Sequence, residues 1–149
     1  MSMEMRTFFR GDVPDTAALT QALKELGFPI SVEQPDYPMQ GHSGFMPMLL
    51  RGELSGAEFY LDDGRDSIEE VVIPEVLKDI DPSFDRTISF RFGSKWNESV
   101  CATCAVAALA KLLNGVVYEE QEGVLWPVDR AIKEAKDLLE MPKPDWARN

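Results

Sequence analysis

The feature that most narrows the fold lies between residues 97 and 113. This run has helical character and is apolar almost all round, with only Glu98 and Lys111 charged. A helix without a polar face has no side to offer to water, so it is predicted to be sandwiched or buried and to form the spine of the core. Its most apolar part, residues 100–110, is interrupted by Thr103 and falls well short of the ~20 residues that span a bilayer. Asn114-Gly115 stops it. The 149 residues fit one domain, 1–149. A domain of that size buries about 70% of its unfolded surface, so its core needs no disulfide staples.

Around this helix the pattern alternates between strand and helix. Residues 5–10 read as a strand, and Asp15 caps a helix whose apolar positions Leu19, Ala22, Leu23 and Leu26 keep the helical repeat until Gly27 ends it. Residues 30–33 form a short strand. Pro35, Pro38, Gly41, Gly44 and Pro47 then punctuate a loop that carries Tyr37 and His42 and is expected to be exposed and mobile. Two strand-like runs, 46–51 and 57–61, joined by residues 52–56, are expected to pair antiparallel. Ser67 and Glu70 have capping-box spacing, but Pro74 would break a helix begun there, which predicts one short or kinked helix before Asp85.

Residues 87–92 alternate, with Ile88, Phe90 and Phe92 on one face and Thr87, Ser89 and Arg91 on the other. The sheet is therefore expected to have a polar face. Residues 116–119 make a strand, and Pro127 starts a last helix with Val128, Ala131, Ile132, Ala135, Leu138 and Leu139 on one side. The order of elements predicts an α+β two-layer sandwich, a mixed, mostly antiparallel sheet with helices on one face, built as a ferredoxin-like core with additions.

Charge narrows the partners. Fifteen Lys and Arg against 26 Asp and Glu leave a formal charge of -11, the wrong sign for nucleic acid or an anionic membrane and the right one for a basic protein. Most of that excess is local, since residues 53–85 hold only Arg65 and Lys78 against a long series of acids. One reading is a solvated surface that keeps the protein soluble. The other is a steering surface for a cationic partner, with Asp62, Asp63, Asp66, Glu69 and Glu70 as contacts. The 62–66 segment lacks the alternating acids and terminal Glu of a calcium loop, so no metal site is read there.

Cys101 and Cys104 have redox spacing, but they lie inside the long helix rather than at its N-terminus, where backbone N–H groups would stabilise a thiolate. Among so many alanines they read as small core residues. His42 stands alone in its loop without a nucleophile motif, and two cysteines with one histidine fall short of a tetrahedral zinc site. No phosphate-binding glycine loop is present, so no cofactor is expected. The N-terminal ten residues interleave acid and base without a signal-peptide core, which makes a cytoplasmic location the default.

A second candidate site comes from topology. If strand 87–92, the buried helix and strand 116–119 form a right-handed β-α-β unit, the C-terminal ends of both strands share an edge where crevices tend to open. That edge would gather Trp96 and Glu98 with Tyr118 and Gln121, rings beside carboxylates that suit an ammonium or guanidinium group. The plainer reading is a packed tryptophan at the start of the helix and a solvated turn.

Trp96-Asn97-Glu98, Ala107-Ala108-Leu109-Ala110 and the run from Asn114 to Gly123 together resemble a strand-helix-strand element of small uncharacterised bacterial domains, some of which are similar to toxin-immunity proteins. The likeness covers about a third of the chain and consists of packing residues. It implies a bacterial cytosolic protein that neutralises a toxin domain by occlusion, and it brings no catalytic residue.

The leading expectation is thus a non-catalytic, acidic protein-binding module of immunity or inhibitor type. A small-molecule-binding protein or enzyme at the Trp96–Tyr118 edge is the second class. A structural homodimer that buries the apolar helix or the methionine-rich loop is the third, and a thiol enzyme the last.

Overall fold

The computed structural model describes residues 2–41 and 43–145, so His42 lies outside the described residues. Among these, β1 (Met3–Phe9), β2 (Ile30–Val32), β3 (Gly44–Leu50), β4 (Glu53–Asp63), β5 (Arg86–Phe92), β6 (Val116–Glu119) and β7 (Val124–Trp126) form one sheet in the order β2-β3-β4-β5-β1-β6-β7. The helices are α1 (Thr16–Glu25), α2 (Asp66–Glu69), α3 (Pro74–Leu77), α4 (Trp96–Leu113) and α5 (Val128–Glu140).

The architecture is the α+β sandwich that the pattern of elements implies. Within the sheet the central order β4-β5-β1-β6 carries the two split crossovers of a ferredoxin-like core. The chain leaves β1 through α1, enters the sheet at the edge strand β2 and comes back through β3 to β4 on the far side of β5, and it leaves β5 through α4 and reaches β6 on the far side of β1. Strands β2 and β3 extend one edge and β7 the other. Every pairing is antiparallel, so the sheet is not the mixed one expected: the strands that run parallel are held one strand apart.

Helix α4 occupies the centre of one face, flanked by α1 and α5. All its residues from 100 to 110 are buried, as its missing polar face demands. Ala102, Ala105, Ala107 and Ala108 let it lie close to its neighbours, and the buried Thr7 hydroxyl donates to Val106 O at 2.9 Å from the strand beneath. The α1 cap is as the sequence indicates, with Asp15 Oδ1 accepting from Ala18 N at 2.8 Å. Beneath α4 the sheet contributes Phe9, Met46, Met48, Phe59, Ile88 and Phe90, all fully buried.

The opposite face is built differently. A smaller cluster of Phe8, Ile68, Val72, Ile80, Phe84 and Tyr118 forms under α2 and α3, so residues 64–85 cover the outer face around Phe8 and Tyr118. The three long helices keep to the first face, and only these single-turn helices occupy the second.

Four local readings change. The β3–β4 connection is a two-residue turn, Arg51-Gly52, with φ of 50° and 83° in place of the longer link read over 52–56. Two consecutive left-handed residues match the twist of a tight hairpin, so β4 begins at once and runs on to Asp63. The loop after β2 is exposed at most of its described residues, as expected, but two of them turn inward: Tyr37 and Met39 are buried, and Tyr37 Oη donates to Gly44 O at 3.1 Å. Apolar bulk outweighs the turn residues there. Strand β7 is not legible in the sequence, since its three residues come after a glycine turn and are too few to set up an alternation. Ser67 does not cap a helix; it lies inside α2, and its hydroxyl donates back to Gly64 O at 2.7 Å.

Candidate functional site

Strand alternation sends one set of side chains from β4, β5 and β1 to the outer face. In register, Glu58, Arg91 and Glu4 form one row of alternating charge, and Tyr60, Ser89, Arg6 and Tyr118 form the next. Asp62, Thr87 and Phe8 form a third, whose inner part α2 covers. The polar face expected from residues 87–92 is therefore present, but Thr87 and Ser89 are buried because α2 and the neighbouring strands crowd them.

The acidic residues cluster where β4 gives way to α2. Asp62 and Asp63 end the strand, Gly64 turns the chain with φ of 96°, and Asp66, Glu69 and Glu70 lie on or beside the first helical turn. All five carboxylates are exposed. Asp63 is paired with Arg86 at 3.3 Å. The corner is held from behind, with Arg65 Nη1 donating to Asp81 O and Phe84 O, each at 2.9 Å, to close residues 64–85 into a loop. Ile68 and Val72 anchor that loop to Phe8 and Tyr118, whose rings stack with centroids 5.7 Å apart.

Beside this corner the outer face is concave. A cleft of about 360 Å³ runs between α2 and strands β4, β5 and β1. Its floor holds Arg6, whose side chain is only 10% exposed and is gripped by two carboxylates. One guanidinium nitrogen bonds Glu4, and Nη1 lies 3.0 Å from Glu120 Oε1 without the alignment of a hydrogen bond. Arg91 also borders the cleft and donates through Nε to Ser2 Oγ at 2.9 Å. Opposite them stand Asp62 and Glu70, neither in an ion pair among the described residues. Sequence reasoning missed Glu4, Arg6, Tyr60, Ser89 and Arg91 as a group. The alternation in residues 87–92 could have flagged Ser89 and Arg91, but nothing local says that β1 and β4 flank that strand.

The second candidate site does not assemble. Trp96 begins α4, packs on the main core and borders a cleft of about 180 Å³ with Arg51, Glu53 and Leu139. Tyr118 belongs to the smaller cluster on the other face, its hydroxyl 3.5 Å from Val71 O. The sheet lies between them. The two strand ends do share an edge, but Val117 faces α4 and so its neighbour Tyr118 must face away. Burial, with Glu120 adding, raises the Tyr118 pKa, so the phenol keeps its proton at neutral pH. Glu98 accepts from Gly93 N at 3.3 Å and so steadies the start of α4. Gln121 is an exposed turn residue whose N–H reaches Glu119 Oε1 at 3.1 Å.

Both thiols are fully buried in α4. Burial pushes Cys101 up to about 11 and raises Cys104 as well, the opposite of an activated nucleophile. Among the described residues no three His, Cys, Asp or Glu side chains gather as metal ligands, and no helix is long and apolar enough to cross a membrane. A more apolar cleft of about 600 Å³ opens between α3 and the β6–β7 hairpin, walled by Val76, Phe84, Val116 and Leu125. Compared with known proteins, the chain matches no family model and no curated sequence.

Proposed function

We propose that this chain is a non-catalytic protein-binding module of immunity or inhibitor type, which docks a basic partner on the acidic corner between β4 and α2. The observation that carries this reading is that Asp62, Asp63, Asp66, Glu69 and Glu70 are all exposed on one corner, with a single basic side chain, Arg86, paired to them among the described residues. Like charge gathered on one surface speeds encounter with a cationic partner and penalises wrong ones. Phe45, 49% exposed and paired in register with Glu58, supplies apolar area on the same face along the strand that ends at this corner. Trp96 and Glu98 lie on the helical side and take no part, and Tyr118 serves to brace α2 from below. A location in the cytoplasm accords with this role, as do the two buried, unpaired thiols.

The test is affinity capture on the immobilised full chain from an extract of the source organism, eluted by a salt gradient. The expected result is one basic protein released as salt rises and not retained by the triple variant Asp63→Lys, Asp66→Lys, Glu69→Lys. Equal retention by that variant, or no retained protein, overturns the reading. The second reading, a small-molecule-binding protein, is favoured only by the 600 Å³ cleft, a volume within the range of ligand sites. Saturable thermal stabilisation by a small ligand, lost on Leu125→Trp, would support it.

A further inference from the structure

We infer that the outer-face cleft is the anchor site for one cationic side chain of the basic partner, arginine's planar fork being the best match. The inference rests on the docking reading and names what that surface would hold most specifically.

Three observations converge on the cleft. The first is an available acceptor: Ser89 is 4% exposed and lines the cleft, and its hydroxyl is bonded to no other side chain or backbone group among the described residues. Its neighbour Thr87 differs, with Oγ1 3.2 Å from Ser67 Oγ. The Ser89 oxygen faces the cleft, and a ligand N–H that enters would find an acceptor there. The second is the sign of the charge. Arg6 is already neutralised by Glu4 and Glu120, and Arg91 stands in register between Glu4 and Glu58, whereas Asp62 and Glu70 have no counter-ion among the described residues. The local excess is therefore negative. The third is shape, since a cleft of about 360 Å³ admits one extended side chain and not a helix or strand. A guanidinium offers donors in a fixed plane, enough to reach two carboxylates and a hydroxyl at once, and the Tyr60 ring borders the same space.

The probe is N-acetyl-arginine methylamide, titrated into the isotope-labelled full chain and monitored by amide NMR shifts, with the neutral citrulline analogue as control. Saturable shifts at Tyr60, Glu70 and Ser89 are expected for arginine and not for citrulline. Asp62→Asn should weaken arginine binding about tenfold, the scale of one charge-assisted hydrogen bond. Ser89→Leu fills the cleft while keeping every charge and should remove the shifts. Ser89→Ala guards against misfolding: it deletes only an unpartnered hydroxyl, so the thermal midpoint should hold or rise while arginine binding weakens. Equal shifts with citrulline, or arginine shifts indifferent to both Asp62→Asn and Ser89→Leu, overturn the inference. The two readings separate on the captured partner. A partner kept by Ser89→Leu but lost by the Asp63, Asp66 and Glu69 reversals overturns the anchor and leaves the docking reading. A partner indifferent to both changes overturns the docking reading itself.

Discussion

Truncating Ile68 to alanine tests whether residues 64–85 form a separate packing unit that presents the acidic corner. Ile68 is fully buried in the cluster with Phe8, Val72, Ile80, Phe84 and Tyr118. The change removes three carbon atoms, about 2.4 kcal/mol of transfer free energy at ~0.8 kcal/mol per group, and adds the cost of the void left behind. Because α2 is a single turn at the surface, it can settle into part of that void, so a total of about 2–3 kcal/mol is expected, at the low end for such truncations. For a chain near 150 residues this lowers the thermal midpoint by roughly 5–10 °C. Hydrogen exchange supplies the sharper readout. Amides of residues 64–85 should exchange much faster while those of α4, buried in the other cluster, keep their protection under native conditions. Binding of the arginine probe should fall in parallel, since Ser67, Glu70 and Val71 wall the cleft. A loss below about 1 kcal/mol, or equal acceleration in α4 and in residues 64–85, would refute the two-cluster account.

The same packing sets the response to other perturbations. Gly115→Ala would place a Cβ 2.3 Å from Phe8 O, and because that neighbour is backbone in the middle of the sheet, a loss of about 2–3 kcal/mol in urea denaturation is expected. The buried thiols make stability fall in alkali. Below about pH 9, the unperturbed value, folded and unfolded chains both hold the Cys101 proton and its contribution is complete; as pH rises from there through about 11 the unfolded chain loses it first. The decline is at most about 1.4 kcal/mol per pH unit for each thiol and should be shallower in the Cys101→Ala, Cys104→Ala variant, as urea midpoints at about pH 8 and pH 10.5 would reveal. Near pH 8 iodoacetamide should label neither cysteine until the chain unfolds, and native labelling of Cys101 would contradict its placement.

Much of the fold can be read locally because its main elements are strongly patterned. Helix α4 has no polar face, α1 has a capping aspartate and a terminal glycine, and β5 alternates without a break, so each is recognisable without its neighbours. The misread pieces are those whose conformation depends on distant contacts. Residues 33–43 carry the glycines and prolines of a free loop, yet Tyr37 meets Phe59 edge to face at 6.0 Å and Thr16 Oγ1 donates to its carbonyl at 2.6 Å. Arg51 adopts a left-handed turn that its residue type does not announce; its side chain donates to Leu139 O at 2.8 Å across the molecule.

The proposed docking surface divides the same way. The sign and sequence position of the charge are properties of the chain alone, and they suffice to favour a basic partner and to disfavour nucleic acid. The exposed state of Asp62, Asp63, Asp66, Glu69 and Glu70 reflects the cost of burying unpaired carboxylates. Tertiary structure alone decides which distant side chains join them. Only the placement of β5 between β4 and β1 brings Ser89 beside Tyr60 and Arg6, and only the sheet's two-sidedness puts Trp96 and Tyr118 out of each other's reach. Period and charge are local quantities carried by each segment, whereas strand order is settled by which arrangement buries α4 on every side, a property of the whole core.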